Sequence, residues 1–272
     1  MKHRRSVLAS IIMIPLACLA ALPFYYIVIN TLKTQMETLD SPLGLPQKIN
    51  LDTYVEVFTQ TPVIRSFFNT LYVTVMAIVL MVFIGSLAAF AVVVGRGWLT
   101  KALAGVLMVA FVVPGQATLV PQYQMFAAVK LVDSLNGLIL LYSVGSIFCY
   151  FLIAGYMRTL PQELFEAARV DGASSWRIYW SIVLPLIRPI LVTVGVFQTM
   201  WVWNDFLTPN VFISTSSRQT LVLQVYTAVG QFTTNWPMFM TLTVVVLIPM
   251  VIFFILMQRQ IVNGLVAGAV KG

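Results

Sequence analysis

The residues of this chain that could do chemistry gather in two places. One is the run Glu166-Ala167-Ala168-Arg169-Val170-Asp171-Gly172, and the other is Trp203-Asn204-Asp205 within an apolar stretch. Neither is built for making or breaking bonds. The single histidine, His3, lies in a basic tail, so a serine or cysteine triad lacks its base. Cys18 and Cys149 stand far apart in apolar runs, with no CxxC and no Cys/His cluster, so no disulfide scaffold or metal site is suggested. No GxxxxGK[ST] phosphate loop occurs, and the chain is not expected to bind or hydrolyse ATP itself. The chemistry that remains is recognition. Ala167, Ala168 and Gly172 permit close backbone approach, while Glu166, Arg169 and Asp171 offer charges to a partner.

Local sequence predicts how the first cluster is displayed. Pro161 suits the start of a helix and Gln162 and Glu163 suit its positive end, with Leu164, Phe165, Ala167, Ala168 and Val170 as its apolar face. Asp171-Gly172 is expected to end that helix, because glycine readily takes the left-handed conformation. Ser174 or Ser175 can cap a second helix through Trp176 to Val183, with Pro185 as its limit. A helix, a sharp turn and a second helix could dock a partner or rest among lipid headgroups.

The elements around these residues follow from composition. Sixty per cent of the 272 residues are hydrophobic and 9% charged, with a mean hydropathy of +0.92, which excludes a water-soluble domain and predicts an all-α integral membrane protein. Six apolar runs approach the length needed to cross hydrocarbon: 8–30, 70–94, 102–120, 137–157, 187–208 and 239–258. The first resembles a signal peptide with a lipoprotein-like Pro-Leu-Ala-Cys, but it continues apolar to Ile29 and is read as a retained span.

The net charge of +7 is read as an orientation signal rather than nucleic-acid affinity. With both termini cytoplasmic, the inner side holds Lys2, Arg4, Arg5, Arg96, Lys101, Arg158, Arg169, Arg177, Arg188, Arg259 and Lys271, and the outer side only Lys33, Lys48, Arg65, Lys130 and Arg218. The docking run then lies inside, between spans four and five. Residues 31–66 form an outer loop with one short helix near Asp52–Phe58, and residues 209–237 form a second. Either loop could touch an outer partner or serve as a connector.

Glu166-Ala167-Ala168, three residues, Gly172, nine residues and Ile182-Val183-Leu184-Pro185 resemble the EAA motif of ABC-importer permease subunits. The segment Tyr156–Pro189, the run "WNDFLTPNVFI" and the tail "QRQIVNGLVAGAVKG" are similar to the carbohydrate-uptake branch, to its six-span, maltose-permease-like member. The resemblance implies an inner-membrane protein of a bacterium or archaeon. Its parts would be residues 1–65 as tail, first helix and outer loop, 66–258 as permease core, and 259–272 as cytoplasmic tail. It implies that Glu166 to Gly172 form a coupling helix seated in a cleft of an ATP-hydrolysing subunit. It also implies a second permease subunit, two ATP-binding cassette subunits that hold ATP and Mg, an extracytoplasmic solute-binding protein and a sugar substrate. Gly268 to Gly272 would reach the ATPase interface or fray.

Trp203, Asn204 and Asp205 suit sugar hydroxyls by stacking and hydrogen bonding, and equally suit gating, a structural pair, or the outer interface. An importer of a glycerol-phosphate ester is the alternative inside the same class. An ion-coupled carrier would want ionisable residues in several spans, where this chain has Asp205 nearly alone.

Overall fold

The computed structural model describes the backbone of residues 2–95, 97–231 and 235–269, and the side chains of 11, 13–95, 97–227 and 235–261. Arg96, Lys271 and Gly272 lie outside the described residues. Every regular element described is helical, the form in which a segment satisfies its own backbone hydrogen bonds in lipid. In chain order these are α1 (Lys2–Asn30), α2 (Gln35–Asp40), α3 (Asp52–Gln60), α4 (Val63–Val94), α5 (Trp98–Val112), α6 (Leu119–Ala128), α7 (Leu135–Tyr142) and α8 (Ser146–Met157). They continue as α9 (Glu163–Val170), α10 (Ser175–Ile178), α11 (Leu184–Leu186), α12 (Arg188–Trp203), α13 (Leu207–Phe212), α14 (Leu221–Gln231) and α15 (Trp236–Ala269).

Among the described residues, four stretches are long and apolar enough to cross a membrane: Met13–Asn30, Val63–Val94, Leu135–Met157 and Trp236–Ile261. Two further pairs would each cross only as a bent span, Trp98–Val112 with Gly115–Ala128 at 94° and Ser175–Leu186 with Arg188–Trp203 at 74°. The expected third span, 102–120, is therefore not one rod. Pro114 has no N–H to give a helix, and it holds Val113 extended at ψ 120°. A tight turn, Gly115–Thr118, follows before α6. The expected fifth span, 187–208, also divides, since α12 ends at Trp203 and α13 starts at Leu207.

Pro185 does not stop its helix, contrary to expectation. Tyr179–Val183 widens into a π turn and α11 runs to Leu186. A widened turn accommodates the proline's missing donor without breaking the rod. The break falls one residue later, at Ile187, with Pro189 in the first turn of α12.

The chain divides into two compact units, Met1–Ile64 with Leu223–Val251, and Arg65–Val222 with Ile252–Gly272. In the first, Asn30 Nδ2 donates to the Tyr26 and Pro42 carbonyls at 2.7 and 2.9 Å, and the buried Lys33 Nζ donates to the Ser41 carbonyl at 2.7 Å. These bonds draw residues 30–42 together, and α2 stands within the loop expected to be irregular, while residues 41–50 carry no regular element, as expected. The Thr34-Gln35-Met36-Glu37 spacing starts α2, with Thr34 accepting from the Glu37 amide. The expected helix near Asp52–Phe58 is α3. Its Thr53 donates to the Thr31 carbonyl and accepts from Thr241 at 3.0 Å.

In the second unit α4 presents a buried stripe at i, i+4 spacing: Val73, Ala77, Met81, Gly85 and Ala89. Gly85 lets α8 approach closely, because a Cβ there would lie 2.6 Å from Cys149 Cβ and 2.9 Å from the Ser146 carbonyl. Gln198 of α12 donates to the Gly145 carbonyl at 2.9 Å and ties α12 to the turn before α8.

Candidate functional site

The run Glu166 to Gly172 is displayed much as its sequence predicts. Helix α9 carries Glu163 and Glu166 in its first turn and Arg169 in its last, complementing the helix dipole. Gly172 sits at φ +74°, and a Cβ there would meet nothing within 4 Å. Its role is the left-handed turn rather than close packing within the chain. Ser174 then caps α10, accepting from the Arg177 amide at 3.3 Å.

Two faces of this helix-turn-helix do different things. Phe165, Ala168, Ile178 and Tyr179 are buried. Tyr179 shares a 2.8 Å hydrogen bond with Ser86 of α4 and lies 5.5 Å, centroid to centroid, from Phe90. Arg169 Nη2 donates to the carbonyl of Val94, the last residue of α4, at 2.5 Å. A cation on the negative end of a helix is well placed. Arg169, predicted to face a partner, is thus turned in part toward its own chain. The other face carries Val170 at 88% exposure with Trp176, Leu164, Ala167, Glu166 and Asp171 also exposed. Apolar side chains left in the open on a charged segment are available to a partner or to lipid headgroups.

Trp203, Asn204 and Asp205 do not act as one cluster. Trp203 is buried and packs edge-on against Phe67 at 6.0 Å. Asn204 caps its own helix, donating to the Met200 carbonyl at 2.7 Å. Asp205 Oδ1 accepts from the amides of Leu207 and Thr208, starting α13, while Oδ2 accepts from the Tyr142 hydroxyl at 2.9 Å. The exposed tryptophan is Trp201, whose ring meets Tyr142 edge to face at 5.5 Å. A strip of Trp-Val-Trp gives no sign of which indole turns outward. Gly268 lies in the last turns of α15.

A second polar cluster escaped sequence reasoning because its members lie 85 residues apart. Asp133, at φ +54°, accepts through Oδ1 from the Ser214 and Thr215 amides at 3.0 Å, and through Oδ2 from Thr215 Oγ1 and Arg218 Nη1. Asp133 and Arg218 edge an open cleft of about 590 Å³ that Arg65, Lys130, Tyr72 and Asn136 also line. Partial burial works to raise the Asp133 carboxyl, but the Thr215 and Ser214 hydrogen bonds and the Arg218 charge outweigh it and hold it below its ordinary 3.8. The clamp therefore contributes fully above the ordinary carboxylate value and is lost as pH falls through the lowered one. Amide exchange at Ser214 and Thr215 should stay slow at pH 5 and lose protection only once pH has fallen well below the ordinary carboxylate value of 3.8. In Asp133→Asn that protection should already be missing at pH 5.

The comparisons with known proteins cover nearly the whole chain. It is 33% identical over 270 residues, 99% of its length and 98% of the relative's, to the probable starch degradation products transport system permease protein AmyC of Thermoanaerobacterium thermosulfurigenes. It is 30% identical over 258 residues, covering 94% of this chain and 93% of the relative, to the melibiose/raffinose/stachyose import permease protein MelC of Bacillus subtilis. Its fold matches a chain of the crystal structure of a bacterial ABC transporter involved in the import of the acidic polysaccharide alginate. That match has a TM-score of 0.81 at 20% identity and covers 94% of this chain and 96% of the other. The model of the binding-protein-dependent transport system inner membrane component matches residues 3–266. A multi-pass helical membrane chain matched over almost all its length belongs to that family, whose members are transport subunits rather than enzymes.

Proposed function

We propose that this chain is the permease subunit for uptake of a neutral sugar or oligosaccharide, forming half of the path through the membrane. The observation that carries the substrate class is the near full-length similarity to permeases named for starch degradation products and for melibiose, raffinose and stachyose. The path would be closed by a second permease subunit, fed by a solute-binding protein on the outer side, and powered by two ATPase subunits that hold ATP and Mg. Residues 66–258 would make the transport core, residues 1–65 the leading helix and outer loop, and residues 259–272 an inner tail reaching the ATPases through Gly268 and Gly272. Both termini would face the cytoplasm, which puts α9 and α10 on the ATPase side.

The coupling reading rests on the two faces of α9 and α10. Glu166, Ala167, Asp171 and Gly172 stand on the exposed side, where the ATPase would meet them, while Phe165 and Ala168 are buried and Tyr179 and Arg169 fasten the segment to α4. Closure of the ATPases on ATP would push this segment, and the Ser86–Tyr179 and Arg169–Val94 bonds would pass the displacement to α4. Arg169→Ala should then lower sugar moved per ATP hydrolysed severalfold, with insertion unchanged, as measured in proteoliposomes.

Affinity purification of the tagged chain in mild detergent, followed by mass spectrometry, tests the assembly. Recovery of an ATPase, a second permease and a sugar-loaded binding protein is the expected result. Recovery of the chain alone, from a preparation that keeps another ABC complex intact, would overturn it.

A further inference from the structure

The cleft edged by Asp133 and Arg218 has walls that are tied to one another within the second unit. Tyr72 of α4 donates to Asn136 Oδ1 at 2.8 Å, which fastens α4 to the first turn of α7. Asn69 of α4 donates to the Ser217 and Gln219 carbonyls, each at 3.0 Å, and so fixes the loop that carries Arg218. The cleft is formed before anything enters it.

Its charge is unbalanced. Arg65, Lys130 and Arg218 line it with one carboxylate, Asp133, and that carboxylate is already taken up by Arg218, the Thr215 hydroxyl and two amides. The side chains of Arg65 and Lys130 make no hydrogen bond or ion pair among the described residues. Asn136 spends its oxygen on Tyr72, so its Nδ2 is left to donate.

Both free cations stand where local structure disfavours them. Arg65 is in the first turn of α4, the positive end of a 32-residue helix, where an acid is favoured. Lys130 holds φ +58° one residue beyond the cap of α6. Leu131 N donates to the Phe126 carbonyl at 2.8 Å and Lys130 N to the Ala127 carbonyl at 3.1 Å, which is the helix ending whose left-handed position glycine usually takes. Lys130 and Asp133 are the two non-glycine residues at positive φ among the described residues, and both line this cleft. Such backbone strain clusters at ligand sites.

Position names the anion. The cleft lies where the membrane-crossing stretches Val63–Val94 and Leu135–Met157 begin, at the end of α4 opposite the Val94 carbonyl that meets Arg169. Cations in a pocket between the ends of spans meet lipid headgroups. From the cleft, Tyr72, Met76, Val79 and Phe83 run along α4 as an exposed strip at i, i+4, i+7 and i+11. A soluble anion leaves that strip bare, whereas a phospholipid fills the cleft and covers the strip.

We propose that Arg65, Lys130 and the Asn136 amide bind the headgroup phosphate of one anionic phospholipid, whose acyl chains lie along the exposed strip of α4. Arg218 is a positioning residue, because it closes the clamp on Asp133 that shapes the cleft wall. The proposal depends on the chain spanning the membrane and not on which solute is carried.

The test uses the full chain with the partners it retains, stripped of lipid in detergent, and native mass spectrometry with dioleoyl phosphatidylglycerol and dioleoyl phosphatidylcholine as probes. The parent should prefer the anionic lipid about twenty-five-fold, the product of two cations each worth about fivefold beside an anionic headgroup. Arg65→Gln and Lys130→Gln should each cut that preference about fivefold, and together they should abolish it, while Arg65→Lys keeps most of it. Lys130→Gly should lose the same fivefold, yet the lipid-free protein should melt no lower than the parent, because glycine accepts the left-handed backbone. A lysine with a merely structural role would instead lower the melting temperature and spare the preference. Equal binding of the two lipids by the parent overturns the proposal, as does a preference that survives the double variant. Displacement of phosphatidylglycerol by millimolar inorganic phosphate would assign the cleft to a soluble anion and overturn the lipid. Loss of solute-binding-protein capture in the double variant, with the lipid preference intact, would overturn it in favour of an acidic protein surface.

Discussion

Gly172→Arg should reduce sugar uptake by about a hundredfold or more while the protein inserts and accumulates normally. Gly172 holds φ +74° with open space where a Cβ would go, so the Cβ of an arginine meets no atom of its own chain within 4 Å. It does pay about 1–2 kcal/mol for the left-handed backbone, and it puts a bulky cation where α9 would enter the ATPase cleft. Together these readily reach the ~2.7 kcal/mol that separates a hundredfold change in the docked population. Gly172→Asn separates the two effects, because asparagine tolerates the left-handed region. It should retain far more uptake than the arginine variant, and co-purification of the ATPase should follow the same order. Normal uptake by Gly172→Arg at wild-type membrane levels would remove the coupling role from this turn.

Gly85→Val should damage the packing of α4 against α8 in the second unit. The new Cβ would lie 2.6 Å from Cys149 Cβ, 2.9 Å from the Ser146 carbonyl and 3.0 Å from the Tyr150 nitrogen. Two of those three atoms are backbone and cannot rotate away. Overpacking of this kind costs about 1–3 kcal/mol and sometimes more. In a protein of this size each kcal/mol is worth roughly 2–4 °C. Thermal unfolding of the purified chain in detergent should drop by several degrees for Gly85→Ala and further for Gly85→Val. Gly105, with nothing within 4 Å of its Cβ position, should accept alanine without loss. Equal melting of the Gly85 variants and the parent would mean that α4 and α8 do not meet there.

Much of this was legible in the residues themselves. Composition requires helices in lipid, because only self-satisfied backbones survive there, and the apolar runs locate α7 with α8 to within two residues and find α1, α4 and α15, although α4 begins seven residues before its run and α15 ends eleven residues beyond its own. The turn at Gly172 and the cap at Ser174 were legible for a local reason. Left-handed backbone and N-capping are decided by one or two residues and their immediate neighbours. Thr34-x-x-Glu37 carried the same kind of signal for α2.

What the sequence could not decide depends on neighbours distant in the chain. Pro114 splits a span while Pro185 does not, because the backbone around Pro185 widens into a π turn and keeps the helix going. Arg169 reads as a docking charge until α4 brings the Val94 carbonyl to it across 75 residues. Of Trp201 and Trp203, hydropathy cannot choose the one that stays exposed. Phe67 buries Trp203, and Tyr142 with Gly145 presents Trp201. Periodicity determines which segments are helices, since that is a property of adjacent residues. Which side chain faces a partner, a path or its own chain was decided only when packing set those helices against one another.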